Sequence, residues 1–260
     1  MNTKIEIELN KILTDKVSGS SELLGKIEQF FINYHLHFTD HTSLIKKIKK
    51  HFKSFENVQK FLIRLQSKAD SKQFIKYLIR QIELERNVYK KIFENALPHI
   101  KNRKVILTIS NSKTIFEILK LLNPNNKPKI IICESRPNFE GRILAKNLAE
   151  VNFEVQLITE AQTANYMRNV DCVIIGADSI LKNGNAVNKV GSFQLAILCK
   201  HFKKPFYIIA DKSKFSKRNN LIQKKESVSE IWKSKPQNIL VNNSYFEIIP
   251  NQLITKIISD

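Results

Sequence analysis

The sequence predicts an α/β protein, with an N-terminal helical domain at residues 1–100 and a Rossmann-like, mainly parallel-sheet domain at residues 101–260. The N-terminal part places apolar side chains at helical spacing and contains few glycines or prolines. From Lys104 onward, short β-branched apolar runs alternate with helical segments, which is typical of parallel βαβ units. We place the boundary near residues 98–103, and we expect the crevice between the domains to hold a phosphorylated ligand.

The N-terminal part is predicted to be helical throughout. Apolar residues within 5–13 follow helical spacing. A second helix begins near Ser21, with Ser18 or Ser20 as its N-cap, and Gly19 permits close backbone approach. The residues alone favour a plain linker between two helices at this place. Further helical segments are predicted at residues 41–65 and 74–97.

Five buried strands and intervening helices are predicted in the C-terminal part. Each strand is a short apolar run rich in β-branched or aromatic residues. The predicted strands are residues 105–109, 129–133, 153–158, 172–175 and 205–210, with helices at 143–151 and 193–201. Later in the chain, Trp232 is expected to be a packing anchor.

The net charge of +19 and the three cysteines limit the kinds of partner and site that this protein is expected to have. The lysines are spread along the chain and no nucleic-acid motif is present, so we expect no direct nucleic-acid contact. An odd number of cysteines without metal spacing predicts reduced, buried thiols, and neither a metal nor a cofactor is expected. The polar N-terminus and the lack of a transmembrane span predict a cytoplasmic location without membrane contact.

Polar residues stand where the predicted strands end, and this edge of an open α/β sheet is where ligands bind. Asp178 follows one strand, and the sequence Asn-Lys-x-Gly-Ser at residues 188–192 begins the next helix. Together they form a candidate acid and phosphate cradle. Ser110, Asn111 and Ser112 follow the first strand. Their hydroxyls and backbone N–H groups suit an oxyanion, although taken alone they describe a well-capped helix start.

The block GADSILKNGNAVNKVGSFQLA, at residues 176–196, resembles the signature of a known superfamily. That superfamily joins the alpha, beta and delta subunits of translation initiation factor 2B with methylthioribose-1-phosphate isomerase and ribose-1,5-bisphosphate isomerase. The motifs Glu-Ser-Arg-Pro…Glu-Gly-Arg at residues 134–142 and Asn-x-Tyr-Phe-Glu at residues 243–247 carry the resemblance further. It covers residues 104–260 firmly and residues 1–100 loosely, and it implies a homodimer or a higher oligomer.

The resemblance implies roles for individual residues. Asp178 matches the catalytic aspartate of the isomerases, and Asn188 and Lys189 match the residues that hold the substrate phosphate. The loop Ser18-Gly19-Ser20 lies near the phosphate pocket in relatives and resembles the initiation-factor version of that loop. Arg136 is implied to lie near the pocket or the oligomer interface.

Two of these residues also have ordinary structural explanations, and both alternatives stay open. Asp178 would cap a helix or fix the loop at residues 183–184 by hydrogen bonds. Arg136 would fix its own loop through a salt bridge to Glu134 or Glu140.

The chain departs from the isomerases at their active-site cysteine, whose aligned residue here is Ser110. A thiol exchanges protons near neutral pH, whereas an unassisted serine hydroxyl hardly does so. Ile109 stands at the usual histidine place, so no neighbouring histidine activates the serine. Cys133 is expected to be a buried structural thiol. If Lys53 takes the place of an isomerase arginine, it supplies a point charge rather than a bidentate fork.

Two functions follow from these observations. The first is a non-catalytic, initiation-factor-2B-like regulatory or assembly subunit that binds a phosphorylated sugar or a nucleotide and has a translation initiation factor as its protein partner. Ser110, Lys53, residues 18–20 and residues 212–215 favour it. The second is a sugar-phosphate aldose–ketose isomerase, in which Asp178 moves the proton and a serine or cysteine is a weak second group. We prefer the first function.

Overall fold

The computed structural model describes residues 3–15, 18–38, 41–53, 55–68, 74–221 and 225–260, with the backbone alone at residues 82, 85 and 86. The predicted α/β class is confirmed. The helices are α1 (Thr3–Leu13), α2 (Ser20–Tyr34), α3 (His41–His51), α4 (Glu56–Gln66), α5 (Phe74–Ile100), α6 (Lys113–Lys120), α7 (Glu140–Glu150), α8 (Thr163–Tyr166) and α9 (Ser192–His201). Among the described residues, no helix is both long enough and apolar enough to cross a membrane.

The strands form two sheets. They are β1 (Val105–Ile109), β2 (Lys129–Cys133), β3 (Val155–Ile158), β4 (Cys172–Ile175), β5 (Ser179–Ile180), β6 (Ala186–Lys189), β7 (Phe206–Ile209), β8 (Phe246–Ile249) and β9 (Lys256–Ile258). The main sheet is parallel and has the order β3-β2-β1-β4-β7-β9. The predicted strands at residues 105–109, 129–133 and 172–175 coincide with β1, β2 and β4.

The second sheet is antiparallel, has the order β5-β6-β8, and was not predicted. Its hairpin turns at Gly184, where the φ of 82° favours glycine. β8 joins from much later in the chain, with Ile249 opposite Ala186. A two-residue strand and such a distant partner leave no local periodicity to detect.

Two hydrophobic cores meet along α5. Helices α1 to α4 and the beginning of α5 form what we call the helical layer, and Leu78 packs in its core with residues of α1 to α4. Further along the same helix, Ile92, Ala96 and Ile100 pack under the sheet against β1 and β2. The helix also continues through Pro98, where the sequence predicted its end. The boundary at residue 100 stays a prediction, because the division between the cores falls inside the helix.

Three local predictions were wrong. The helical stretch at residues 41–65 is two helices, α3 and α4, and residue 54 between them lies outside the described residues. The N-cap of α2 is Gly19 rather than Ser18 or Ser20. Trp232 is 44% exposed, so it is not a buried packing anchor.

The three cysteines are free and buried, as predicted. Burial raises the pKa of Cys172 and of Cys199 to about 12. It also raises the pKa of Cys133, and the Glu160 carboxylate adds to that rise. These thiols therefore stay protonated near neutral pH, which agrees with a structural role for Cys133.

Candidate functional site

The loops that follow β1 and β4 meet where the order of the main sheet reverses. The two strands are neighbours, and the chain leaves them toward opposite edges, so a crevice opens at their carboxyl ends. A Cβ at Gly176 would lie 2.4 Å from Ser112 Oγ, and a Cβ at Gly19 would lie 2.9 Å from the Asn111 carbonyl oxygen. These two glycines let the β1 loop, the β4 loop and the start of α2 converge.

Two adjoining cavities occupy this crevice and share Gly19, Ser110 and Asp178. We call the first the helix-start cavity, because the starts of α2 and α6 line it; its other lining residues include Ser20, Ser21, Asn111, Ser112, Asn188 and Lys214. We call the second the acidic cavity; its other lining residues include Asp15, Ser18, Glu140, Lys189, Glu226 and Tyr245. Among the described residues, no cluster of His, Cys, Asp and Glu suits a metal ion.

Asp178 lies against the start of α2. It is partly exposed through the two cavities, yet protein surrounds its carboxyl group, and this burial raises the pKa of Asp178. The Lys214 ammonium, together with the hydroxyl and backbone N–H of Ser20, opposes that rise. Asp178 therefore lies at the start of a helix, which agrees with the alternative in which it caps a helix. The loop at residues 183–184, which the same alternative offered as a partner, is held by other contacts.

Asn188 and Lys189 are neighbours on β6 and line different cavities, because successive side chains of a strand point to opposite faces. Asn188 donates from Nδ2 to Ser192 Oγ at 2.9 Å in the helix-start cavity. Lys189 Nζ lies 2.6 Å from Glu140 Oε1 and 4.6 Å from the centre of the Tyr245 ring in the acidic cavity. The two residues predicted to hold one phosphate thus make internal contacts on separate sides of the strand.

The Lys189–Glu140 ion pair is buried, with side chains 3% and 6% exposed. Burial raises the pKa of Glu140, the Lys189 ammonium lowers it, and the Asp178 carboxylate raises it further. Glu140 Oε2 is buried and has no hydrogen-bond partner among the described residues. Glu140 therefore lines the acidic cavity with one carboxylate oxygen that has a partner and one that has none among the described residues.

The start of α9, which belongs to the predicted phosphate cradle, is occupied by a carboxylate of the protein. Glu247 on β8 accepts a hydrogen bond from the Phe193 backbone N–H at 2.8 Å, and the N–H groups of Gly191 and Ser192 also face it. Burial raises the pKa of Glu247, and these N–H groups lower it. The start of α9 therefore already holds an anion of the protein, and the phosphate cradle stays a prediction.

Ser110 borders both cavities with a left-handed backbone, at a φ of 68°. Its N–H donates to Ser135 Oγ at 2.7 Å, and the N–H of Ser135, which has a φ of 67°, donates to Glu160 Oε1 at 2.6 Å. Such a conformation costs about 1–3 kcal/mol in a residue other than glycine, so the network fixes the loop. In the described part of the chain, no side chain accepts a hydrogen bond from the Ser110 hydroxyl.

Asn111 and Ser112 connect the β1 loop to two helices. Asn111 donates from Nδ2 to Glu22 Oε2 on α2 at 2.8 Å. Ser112 is the N-cap of α6, and its Oγ accepts from the Ile115 N–H at 3.3 Å. The helix-capping explanation of this loop therefore holds at Ser112, which also lines the helix-start cavity.

Arg136 does not line either cavity. It is exposed and lies over Phe139, with its guanidinium carbon 4.9 Å from the ring centre. Among the described residues it forms no salt bridge to Glu134 or Glu140, because Glu134 pairs with Arg142 at 2.8 Å and Glu140 pairs elsewhere. The alternative in which Arg136 forms an internal salt bridge is therefore wrong, and its implied role near the pocket or the oligomer interface stays a prediction.

Sequence reasoning gave no site role to Lys214, Glu140 or the aromatic wall of the acidic cavity. Lys214 is 4% exposed. Its place in the loop that follows a predicted buried strand was the one sequence signal that could have indicated a site role. The wall joins Phe55 of the helical layer to Phe246 of β8, with ring centres 5.7 Å apart. Lys53 is exposed and does not line the cavities.

Comparison with known proteins agrees with this fold. The model of the initiation factor 2 subunit family matches residues 12–260. A putative translation initiation factor eIF-2B subunit 2-like protein of Pyrococcus furiosus is 31% identical, over 97% of this chain and 93% of that protein. A ribose 1,5-bisphosphate isomerase of Archaeoglobus fulgidus is 32% identical, over 66% of this chain and 57% of that protein.

Similarity to a solved structure supports the fold alone. The crystal structure of the Pyrococcus horikoshii OT3 translation initiation factor eIF-2B aligns with a TM-score of 0.84 and 23% identity, over 100% of this chain and 96% of that chain. Because the family model covers nearly the whole sequence, the chain belongs to the initiation factor 2 subunit family.

Proposed function

We propose that this protein is a non-catalytic, initiation-factor-2B-like subunit with a regulatory or assembly role and a pocket for a phosphorylated sugar or a nucleotide. The proposal rests mainly on Ser110 and the surroundings of its hydroxyl. Ser110 stands at the place of the isomerase cysteine, and no described side chain accepts the proton of its hydroxyl. Proton transfer in an isomerase needs groups whose pKa lies near the working pH, which an unassisted hydroxyl does not have.

The internal contacts of Asp178 and Lys189 support the same function. Asp178 faces Ser20 and so links the β4 loop to the helical layer. Lys189 is paired with Glu140, which links β6 to α7. These structural contacts are a sufficient reason for an aspartate and a lysine at the two positions, and they require no catalytic role.

An aldose–ketose isomerase is the second candidate, and the raised pKa of Asp178 favours it. A buried carboxyl group with a raised pKa suits a group that takes a proton from one sugar carbon and returns it to the next. Burial alone also explains that pKa, so we rank this function second.

The test is an isomerase assay on ribose 1,5-bisphosphate and methylthioribose 1-phosphate with three proteins: wild type, Ser110→Cys and Asp178→Asn. We expect no turnover by wild type. Turnover by Ser110→Cys alone would show that the pocket still binds a sugar phosphate and lacks only the thiol. Turnover by wild type that Asp178→Asn abolishes would overturn the proposal and establish a serine-variant isomerase.

We also propose that the protein is a cytoplasmic homodimer or larger oligomer that binds a translation initiation factor. The segment from 228 to 240 supports an interface, since Trp232 is 44% and Leu240 95% exposed. Apolar side chains of this kind are commonly buried against another subunit. Light scattering over a range of protein concentrations measures the mass, and 30.2 kDa at every concentration would contradict the oligomer.

A further inference from the structure

Residues 211–218, which we call the Lys214 loop, connect the helical layer to the candidate site. The loop follows β7, and the Lys214 side chain is buried at the helix-start cavity. The Lys214 ammonium acts on Asp178 through its charge, but in the described part of the chain it forms no hydrogen bond or salt bridge. Because no such contact fixes the ammonium, its position depends on the loop that carries it.

The segment that begins with β5 holds one side of the Lys214 loop. The Ser216 N–H donates to the Ile180 carbonyl oxygen at 2.7 Å, and the Lys182 N–H donates to the Arg218 carbonyl oxygen at 2.9 Å. β5 begins directly after Asp178. One side of the loop is therefore attached to the strand that follows this carboxylate.

Helix α4 of the helical layer holds the other side of the loop. Lys60 Nζ donates to the Ser213 carbonyl oxygen at 2.7 Å and also to the carbonyl oxygen of Phe215. Hydrogen bonds from an ionised donor are stronger than those between neutral groups. The two carbonyl groups flank Lys214 in the chain, so one ammonium binds the backbone on both sides of that residue.

Glu56, one turn before Lys60, extends this contact. Its Oε2 accepts a hydrogen bond from Ser216 Oγ at 3.3 Å and lies 3.6 Å from a guanidinium nitrogen of Arg218. Its Oε1 lies 3.8 Å from Lys60 Nζ. Neither Glu56 nor Lys60 lines either cavity. The two residues therefore reach the candidate site through the loop rather than by direct contact.

We propose that Lys60 and Glu56 are positioning residues of the candidate site: they bind the Lys214 loop and so hold the Lys214 ammonium beside Asp178. Through this contact the helical layer determines the charge that surrounds Asp178. The inference goes beyond the proposed function, because it concerns groups of the protein itself and holds whichever ligand the crevice takes.

Several elements act on the Asp178 carboxyl group. The described groups are Ser20 of α2, Lys214 of the loop, Lys189 of β6 and Glu140 of α7. Of these, the Lys214 ammonium most strongly opposes the rise that burial produces in the pKa of Asp178. A nearby cation favours the ionised carboxylate, so displacement of Lys214 should raise that pKa further.

The pKa of Asp178, measured by NMR in the full chain with isotopically labelled aspartate, tests the proposal. The spectrum of Asp178→Asn identifies the signal. Lys214→Met is expected to raise the pKa, and Lys60→Met is expected to reproduce at least about half of that rise. The double variant Lys60→Met/Lys214→Met should match Lys214→Met alone, because Lys60 acts through Lys214.

Glu56→Ala separates positioning from a direct effect of charge. Removing a negative charge by itself lowers the pKa of a nearby carboxyl group, whereas a displaced Lys214 raises it. We expect a rise. If a thermal melt shows that Lys60→Met does not fold, this variant alone decides the proposal.

Arg64→Met is the matched control. Arg64 lies one turn after Lys60 on α4, is exposed, and forms no hydrogen bond or salt bridge with the loop among the described residues. This variant removes the same charge from the same helix and should leave the pKa of Asp178 unchanged.

Four results would contradict the inference. An unchanged pKa in Lys214→Met would mean that the ammonium does not lie beside Asp178, and an unchanged pKa in folded Lys60→Met would mean that the loop is held without α4. Additive rises in the double variant would show that Lys60 acts by its own charge. A fall or no change in Glu56→Ala would remove Glu56 from the pair. None of these results depends on whether the crevice binds a phosphorylated ligand.

Discussion

Asp178 and Glu247 are two partly buried carboxylates that each lie at the start of a helix. Burial raises the pKa of both, and backbone N–H groups oppose the rise in each case. Glu247 faces the N–H groups of the N-cap Gly191 and of the first two residues of α9. Asp178 has the Lys214 ammonium beside it and opens into two cavities. A carboxylate of the protein therefore lies at both helix starts, and what separates them is that the one at Asp178 borders cavities and has a lysine beside it.

Breaking the charge balance beside Asp178 is expected to have the largest effect. Lys189→Met leaves the Glu140 carboxylate buried without its ammonium, which should cost about 3–5 kcal/mol of unfolding free energy. Urea unfolding measures the loss. The double variant Lys189→Met/Glu140→Gln should recover part of it, because no buried charge then remains unpaired. A loss below about 1 kcal/mol, as for an exposed pair, would contradict the burial of this ion pair.

Removing the carboxylate at the start of α9 is expected to have an intermediate effect. Glu247→Ala leaves the N–H groups at the start of α9 without their acceptor and should cost about 2 kcal/mol. Hydrogen exchange should accelerate most in the first turn of α9, and ribose 5-phosphate affinity should stay unchanged. A change in that affinity would mean that the two helix starts are not independent.

The smallest effect is expected in the pH dependence of stability. Because the folded pKa of Asp178 is raised above its ordinary 3.8, the folded state keeps a proton that the unfolded chain has released. Stability therefore falls as the pH rises from about 4 through the raised pKa. Asp178→Asn should flatten this fall in urea unfolding measured across that window. A slope equal to that of wild type would show that the carboxyl is not buried in solution.

Much of the fold could be predicted because its strands are local features. β1, β2 and β4 are continuous apolar runs, and such runs identify buried parallel strands without knowledge of their partners. β5 and β8 lack this signal, because one has two residues and the other is only partly buried. The exposure of Trp232 was missed since size and aromaticity do not determine what covers a side chain.

The site could be located from the sequence, but its contacts could not. Asp178 and Ser110 follow predicted strands, and the carboxyl edge of a sheet brings such residues together. Lys189 and Glu140 are 49 residues apart, and Phe193 and Glu247 are 54 apart. No local pattern reveals that a lysine expected to hold phosphate is paired internally, or that a carboxylate from the second sheet fills a helix start.

The length of α5 has a consequence for how the protein unfolds. With 27 residues the helix is about 40 Å long, and its two ends are packed in different cores. Cutting the chain after residue 100 would strip the sheet of Ile92 and Ile100, and cutting before residue 74 would leave the helical layer without Leu78. Neither core can lose its packing without disturbing the helix that completes the other, so we expect the two cores to unfold as one cooperative unit.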